Sequence, residues 1–352
     1  MKKAGNRITP HRTGLRRSVG FLGSGLYVPD RVVTNAELAR TLDTSDEWIT
    51  ARTGIRERRF LDDGLATSDM CLPAAREALR RTGIEAEDLD AIIVTTSTPD
   101  QPLPSTAVTV KDGLGASRAI PLDIAQTACA GGIYALLVAA HLLQGEMFER
   151  VLVIGADTGS RATDPTDRGT RVFFGDAAGA VVLGPVPAGF GVQSWDFGDE
   201  LCFDVAIPAG GSRRPTTPET AEAGDHFVRM NGPSAWKYAT EYLPASIQQT
   251  LDRAGLAVGD VDYFLLHQAN LNIITHAMDA LGVSMDRAPT TVERFGNTAA
   301  ASLFTVLHET LLAEPETGRL LVLAGIGAGV LWGSICFRHY AIPGGLVKGE
   351  AE

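Results

Sequence analysis

Cysteine is scarce in this sequence and widely scattered. The 352 residues hold four, Cys71, Cys129, Cys202 and Cys336, and no two form a C-x-x-C pair. That spacing suggests neither a zinc site nor a disulfide framework, and it fits a reducing cytoplasm best. Aromatic residues make up only 7% of the chain, as in an ordinary soluble globular protein. No apolar run is long and clean enough to span a membrane. Positive charge is in deficit: the formal net charge of −11 argues against a nucleic-acid partner and gives no sign of an anionic-membrane binder. A P-loop lysine motif is missing. Gly20-Phe-Leu-Gly-Ser-Gly25 and Gly325-Ile-Gly-Ala-Gly329 have the wrong glycine spacing for a dinucleotide, and the second leads into a strand. His276, His308 and His339 have no ligand-like neighbours, so neither a metal nor a bound cofactor is expected. Basic residues gather only in residues 1–17, which no apolar segment follows. Secretion is therefore not expected, and the segment reads as a loose, disordered tail.

What is present is organised around Ala125-Gln-Thr-Ala-Cys129-Ala-Gly-Gly-Ile-Tyr-Ala-Leu-Leu-Val-Ala-Ala140. Residues 120–125 read as a buried strand, and a helix runs on to Leu143. A cysteine at the start of a buried helix faces unpaired N–H groups and the positive end of the helix dipole. That setting lowers a thiol pKa and favours the thiolate. Taken alone, a buried core cysteine is the commoner reading.

The remaining chain changes that balance through an internal repeat. Leu79-Arg-Arg-Thr-Gly-Ile-Glu-Ala-Glu-Asp-Leu-Asp-Ala-Ile-Ile-Val94 recurs as Leu251-Asp-Arg-Ala-Gly-Leu-Ala-Val-Gly-Asp-Val-Asp-Tyr-Phe-Leu-Leu266, each copy a helix end, a glycine cap, an acidic loop and an apolar strand. In the same order, residues 150–155 recur as 319–324. Between each pair lies a helix after a turn of small residues, carrying Cys129 in one half and Asn297 in the other. The chain reads as two α/β halves, 18–185 and 186–340, paired about a pseudo-dyad, with tails at 1–17 and 341–352. Asn35 is the expected N-cap of a first helix. Residues 185–225, rich in glycine, proline and polar groups, are expected to hold short strands and loops.

His267 follows the apolar strand of the second copy. A lone histidine there is more often structural, but Cys129, His267 and Asn297 all fall at strand-to-helix turns that can converge on one cavity. Their chemistry suits one sequence of steps. A thiolate takes an acyl group from a thioester. A second thioester bearing a carboxylate loses CO₂, and its enolate is held by a His N–H and an Asn N–H₂. The enolate carbon attacks the stored acyl group. The backbone N–H groups of Cys129 and of Ala328, in the last glycine-rich turn, are candidates for the acyl oxyanion hole.

From about Val19 to Arg338 the sequence resembles the β-ketoacyl-acyl carrier protein synthase III family, the priming condensing enzymes of the thiolase superfamily. The resemblance rests on Asp43-Thr-Ser-Asp-Glu-Trp-Ile49, Arg52-Thr-Gly-Ile-Arg-Glu-Arg58, Ala128-Cys-Ala-Gly131, Asp164-Pro-Thr-Asp-Arg-Gly-Thr170, Phe174-Gly-Asp-Ala-Ala-Gly-Ala180, His267-Gln-Ala-Asn-Leu271, Gly296-Asn-Thr298 and Trp332-Gly-Ser334. It implies a five-layered αβαβα thiolase fold, a homodimer, and Cys129, His267 and Asn297 as the catalytic set. It also implies a coenzyme A cleft in which Trp48 and Arg168 sandwich the adenine and Arg52 meets the phosphates. Acyl-CoA enters as substrate, and no cofactor is implied.

Several positions depart from the family pattern. Asn272 replaces an arginine that helps dock the acidic carrier protein, and Asp279 and Ala280 stand where lysines commonly follow. Lys237 is retained, and with Gln268 and Asn272 it marks the candidate docking face. Loss of cations there weakens attraction to an acidic partner. Gln126, Thr127, Gly132, Ala328, Pro233 and Trp236 differ around the expected acyl pocket, which suggests a non-standard acyl group or specialised metabolism. Two rival functions remain at this stage: an acyltransferase passing the Cys129-bound group to an alcohol or amine, and a non-catalytic dimeric binding protein. A thiolase is weaker, since Cys336 lies several residues too late for its second cysteine.

Overall fold

The glycines that close the two repeat copies, Gly83 and Gly255, share one conformation, with φ 67° at each. Only glycine adopts this left-handed cap without strain. In the computed structural model, which describes residues 6–8, 15–125 and 127–342, these caps send equivalent strands into equivalent sheets.

The first sheet contains β2 (Val19–Tyr27), β3 (Ala91–Thr95), β4 (Ile120–Ile124), β5 (Val151–Thr158) and β6 (Asp176–Pro185), in the order β2-β6-β5-β3-β4. The second contains β1 (Asn6–Ile8), β7 (Gly191–Asp199), β8 (Tyr263–Leu266), β9 (Leu320–Gly327) and β10 (Leu331–Arg338), in the order β1-β7-β10-β9-β8. The pairing repeats as well. β3 and β5 are parallel, as are β8 and β9, while β5/β6 and β9/β10 are antiparallel.

Alternation along the strands builds three cores. Ile93 and Val153 face the middle of the molecule, where α4 (Gly131–Leu142) and α8 (Ser302–Ala313) lie between the sheets with Leu136, Phe304, Leu323 and Ile335. Ile92 and Ile154 face outward, against Met70 and Ala74 of α2 (Thr67–Thr82) and Val110 of α3 (Thr106–Leu114). On the far side, Leu243 and Ile247 of α6 (Gly232–Ala254) and Ile274 of α7 (Leu271–Leu281) cover Phe264 and Val322. The result is the five-layered αβαβα arrangement of duplicated halves. Each fully buried Leu, Ile or Phe contributes about 1.5–3 kcal/mol, and the central layer, covered on both faces, concentrates most of them.

Four local expectations change. The strand before Cys129 is an edge, not a buried strand: Ile120 is 44% exposed and Leu122 37%. Its apolar content matches a central strand, but the sheet order leaves one side unpaired. The glycine-rich stretch hides a full strand, β7, paired on both sides. The N-cap of the first short helix is Thr34, whose hydroxyl accepts from Glu37 N–H, whereas Asn35 is buried beneath it. Within the expected loose tail, Asn6–Ile8 adds an antiparallel strand to the outer edge of β7, whose unpaired backbone groups it satisfies. The rest of residues 1–14 and residues 343–352 lie outside the described residues. Among the described residues, no helix is long and apolar enough to cross a membrane.

Candidate active site

After β4 the chain turns sharply at Ala128, with φ 45°, and Cys129 sits in the following 3₁₀ turn. The other half repeats this turn at Ala299, with φ 46°. The two turns pack against each other, and the end of β9 closes on the one that carries Cys129. A Cβ at Gly327 would lie 2.7 Å from the Ala130 nitrogen and 3.0 Å from that of Cys129. Glycine therefore lets the last turn, with Ala328, close directly over the Cys129 N–H. A Cβ at Gly325 would stand 3.6 Å from His267 Cβ and 3.7 Å from the Cys129 carbonyl oxygen, so the same strand end brings histidine and cysteine together.

His267 is fixed by its backbone N–H, which donates to Ala324 O at 2.8 Å. Asn297 is held by two backbone bonds to the segment around Phe174: its N–H donates to Phe173 O at 2.8 Å, and Gly175 N–H donates to its carbonyl at 3.0 Å. Its side-chain Oδ1 accepts from Ala299 N–H at 2.9 Å, which turns the amide N–H₂ away from the turn. Cys129, His267, Asn297 and Ala328 line a single cavity of about 180 Å³. The expected convergence is present.

The electrostatics correct one expectation. Burial pushes the Cys129 thiol up to about 12, and Asp157 pushes the same way; the residue's own N–H and the Asn297 side chain pull it down. A helix terminus contributes about 0.3–1 kcal/mol, less than the several pKa units that burial can add. The thiol therefore rests protonated, although it opens onto the cavity where a substrate can reach it. Burial pushes His267 down to about 3, so it is neutral. Its Nδ1 meets the Ser302 hydroxyl. That hydroxyl accepts from Gln268 N–H at 3.3 Å. Where that hydroxyl donates its proton to Nδ1, the imidazole hydrogen stands on Nε2.

The expected coenzyme A residues also meet. Trp48 stands in α1 (Asp46–Thr53), whose N-cap Ser45 accepts from Trp48 N–H. Arg168 opens α5 (Arg168–Arg171) and lays its guanidinium 4.8 Å from the indole centroid; Arg52 lies 5.4 Å away. Arg168 is steadied by Asp43 O at 2.6 Å. The guanidinium itself covers the indole, so a flat base enters between them only when Arg168 moves. Asn270 lines the cavity and donates to Arg52 O at 3.1 Å, which joins this clamp to the site.

The expected docking face divides. Lys237 is exposed near the start of α6. Asn272 donates to Ala51 O and Arg52 O and closes the end of α1. Gln268 is fully buried and cannot meet a partner: its Oε1 accepts from Thr291 and Val292 N–H, and its Nε2 donates to Leu266 O. Its place in a polar motif hides this role, because burial is set by the segment packed over it. Among the altered pocket positions, Trp236 and Ala328 line the cavity. Gly132 instead packs against Phe304 and Leu303 of α8. Pro233 sits in the first turn of α6, Thr127 O accepts from Ala130 N–H, and Gln126 lies outside the described residues. Sequence reasoning missed Ser302 and Asp157. Their partners, His267 and Ala300, lie 35 and 143 residues away, so no local signal marks them.

Family models for 3-oxoacyl-[acyl-carrier-protein (ACP)] synthase III match residues 122–200, and for its C-terminal part residues 251–339. The β-ketoacyl-[acyl-carrier-protein] synthase III of Symbiobacterium thermophilum is 44% identical, over 92% of this chain and 98% of its own. The chain belongs to this synthase III family. The crystal structure of the Thermus thermophilus synthase III matches with a TM-score of 0.85 at 35% identity, over 92% of this chain and all of that one. The priming β-ketosynthase from the R1128 polyketide biosynthetic pathway matches with a TM-score of 0.85 at 29% identity, covering 96% of this chain and 99% of its own. The synthase III fold thus accounts for both halves and for the layer order described above.

Proposed function

We propose that this synthase III family member is a priming condensing enzyme with Cys129, His267 and Asn297 as its catalytic groups. The observation that carries the reading is the convergence of a thiol, a neutral imidazole and an oriented carboxamide on one cavity. In the first half-reaction the Cys129 sulfur attacks the carbonyl of an acyl-CoA. The tetrahedral oxyanion is met by the N–H groups of Cys129 and Ala328. The carbon–sulfur bond to coenzyme A breaks, and the thiol proton leaves with the coenzyme A thiol. In the second, a malonyl thioester loses CO₂, and the electron pair passes into an enolate held by His267 Nε2–H and the Asn297 amide. The enolate carbon bonds to the acyl carbonyl, the bond to Cys129 breaks, and the released sulfur takes up a proton. The product is a 3-oxoacyl thioester. No cofactor or metal takes part.

Trp48, Arg168 and Arg52 form the coenzyme A clamp of this reading, and Lys237 is the cation left to meet an acyl carrier protein. The exposed edge β4, with Ile120 and Leu122 uncovered, supports a homodimer formed across that edge. Four free cysteines support a cytoplasmic enzyme.

Intact-mass spectrometry after incubation with a panel of acyl-CoAs, then with malonyl-CoA or malonyl carrier protein, tests the reading. The expected result is an acyl adduct on Cys129 that malonyl thioesters discharge with release of CO₂ and a 3-oxoacyl product. An adduct that only an alcohol or amine discharges identifies an acyltransferase instead, and no adduct removes the catalytic assignment.

A further inference from the structure

We infer that Asp157 is a positioning residue for the condensation step: its carboxylate reaches from the first half to hold the turn of the second half that aims Asn297. The inference rests on the function proposed above.

Superposing the two small-residue turns by sequence pairs Thr127 with Thr298, Ala128 with Ala299 and Cys129 with Ala300. The strained φ recurs at the same place in each, 45° and 46°. The fates of the next N–H groups differ. In the first half the Cys129 N–H faces its own sulfur and the cavity. In the second the Ala300 N–H is taken by Asp157 Oδ2 at 2.9 Å. The other oxygen, Oδ1, accepts from Ser97 N–H at 2.8 Å, Thr98 Oγ1 at 2.9 Å and Thr96 Oγ1 at 3.2 Å. A non-glycine residue at such a φ persists only where its surroundings over-determine it. Here Asp157 holds residue 300, and Asn297 Oδ1 holds the N–H of residue 299. Gly155, on the same strand as Asp157, removes any obstacle: a Cβ there would lie 2.4 Å from Ala300 O.

The carboxylate needs a reason to be there. It is 1% exposed and works against the Cys129 thiolate, as its direction on that thiol shows. Among buried side chains, an ionised carboxylate alone presents acceptors on both oxygens; burial pushes Asp157 up, and the Ala300 and Ser97 N–H groups with the Thr98 and Thr96 hydroxyls, spread over both oxygens, pull it back toward the ionised form. An amide of the same shape must turn an N–H₂ toward a donor. Asp157→Asn therefore keeps the three-donor oxygen and sets its N–H₂ against Ala300 N–H, which releases that one tether. Asn297 serves chiefly the enolate, so acylation and condensation separate.

The test follows the two half-reactions by intact mass in wild type, Asp157→Asn and Thr98→Val, with melting temperature as a check on folding. The expected result for Asp157→Asn is acylation within about threefold of wild type, unchanged KM for acyl-CoA, and discharge by malonyl thioester slowed about 100-fold, the scale of a 1 Å misplacement. Thr98→Val, which removes one donor to the carboxylate and the acceptor of Thr158 N–H at 2.8 Å, slows discharge by about threefold to tenfold with acylation intact, and carries the test if Asp157→Asn does not fold. Equal slowing of both half-reactions in the folded variants, or no slowing of discharge, overturns the inference. A wild-type acyl-enzyme that malonyl thioesters leave untouched overturns the condensing reading itself.

Discussion

Replacing Gly327 by alanine tests whether close backbone approach builds the candidate oxyanion hole. Gly327 lies at the end of β9 outside the left-handed region, so alanine meets no conformational penalty there. Only the new Cβ matters. Placed on the present backbone, it would lie 2.7 Å from Ala130 N, 2.8 Å from Thr127 O and 3.0 Å from Cys129 N, all backbone atoms that cannot rotate aside. The turn must retreat by about 0.5 Å or more to restore ordinary contact. Oxyanion donors act at about 2.7–3.1 Å, so that retreat carries the Ala328 N–H out of range. Loss of one such donor lowers the rate about 100- to 1,000-fold, and the strain costs about 1–3 kcal/mol of stability. The expected outcome for Gly327→Ala is acyl-adduct formation on Cys129 slowed by about 100-fold at saturating acyl-CoA, in a folded protein with a modestly lower melting temperature. Adduct formation within about threefold of wild type would refute the claim that this contact shapes the site.

Four further outcomes follow from the geometry. With the Cys129 thiol held near 12, only the small ionised fraction reacts, so its alkylation by iodoacetamide rises about tenfold per pH unit from pH 7 to pH 10; peptide mapping separates it from Cys202, and a plateau below pH 8 contradicts the burial argument. His267 is pushed down to about 3 and so stays neutral above that value, which predicts no acid limb in acyl-enzyme discharge between about pH 5 and 8. Trp48→Ala and Arg168→Ala should each raise KM for acyl-CoA by roughly threefold to thirtyfold with kcat little changed, and unchanged KM values remove the clamp. Leu122→Lys on the exposed edge of β4 should convert a dimer to a monomer in size-exclusion chromatography; a monomeric wild type refutes that interface.

Much of the fold is legible because it is written in local signals. The helix of residues 232–254 is bounded by Asn231, Pro233 and Gly255, each a terminus signal readable from its neighbours. The repeat is legible because glycine cap, acidic loop and strand recur in one order, and it puts Cys129 and Asn297 at equivalent turns and His267 at the end of the second copy's strand. The misreadings share a cause. Residues 120–124 carry the apolar content of a central strand, yet only the sheet order makes them an edge. β7 hides in glycine-rich sequence because its pairing with β1 and β10 comes from distant segments. Gln268 looks like a motif residue open to a partner, and the segment around Thr291 buries it.

From sequence alone came the αβ order, the duplication, the turns that carry the three candidate catalytic groups and the family resemblance. The first three depend on propensities and periodicities that act between near neighbours, and the resemblance rests on the motifs themselves. The tertiary structure alone decided proton affinities and close contacts. Cys129 is a protonated thiol, not the expected thiolate, because packed protein replaces its water on most sides. Asp157 serves Asn297 through an Ala300 N–H 143 residues away. Desolvation and hydrogen bonding are set by which groups share a volume, and that is settled only when both halves close around the same cavity.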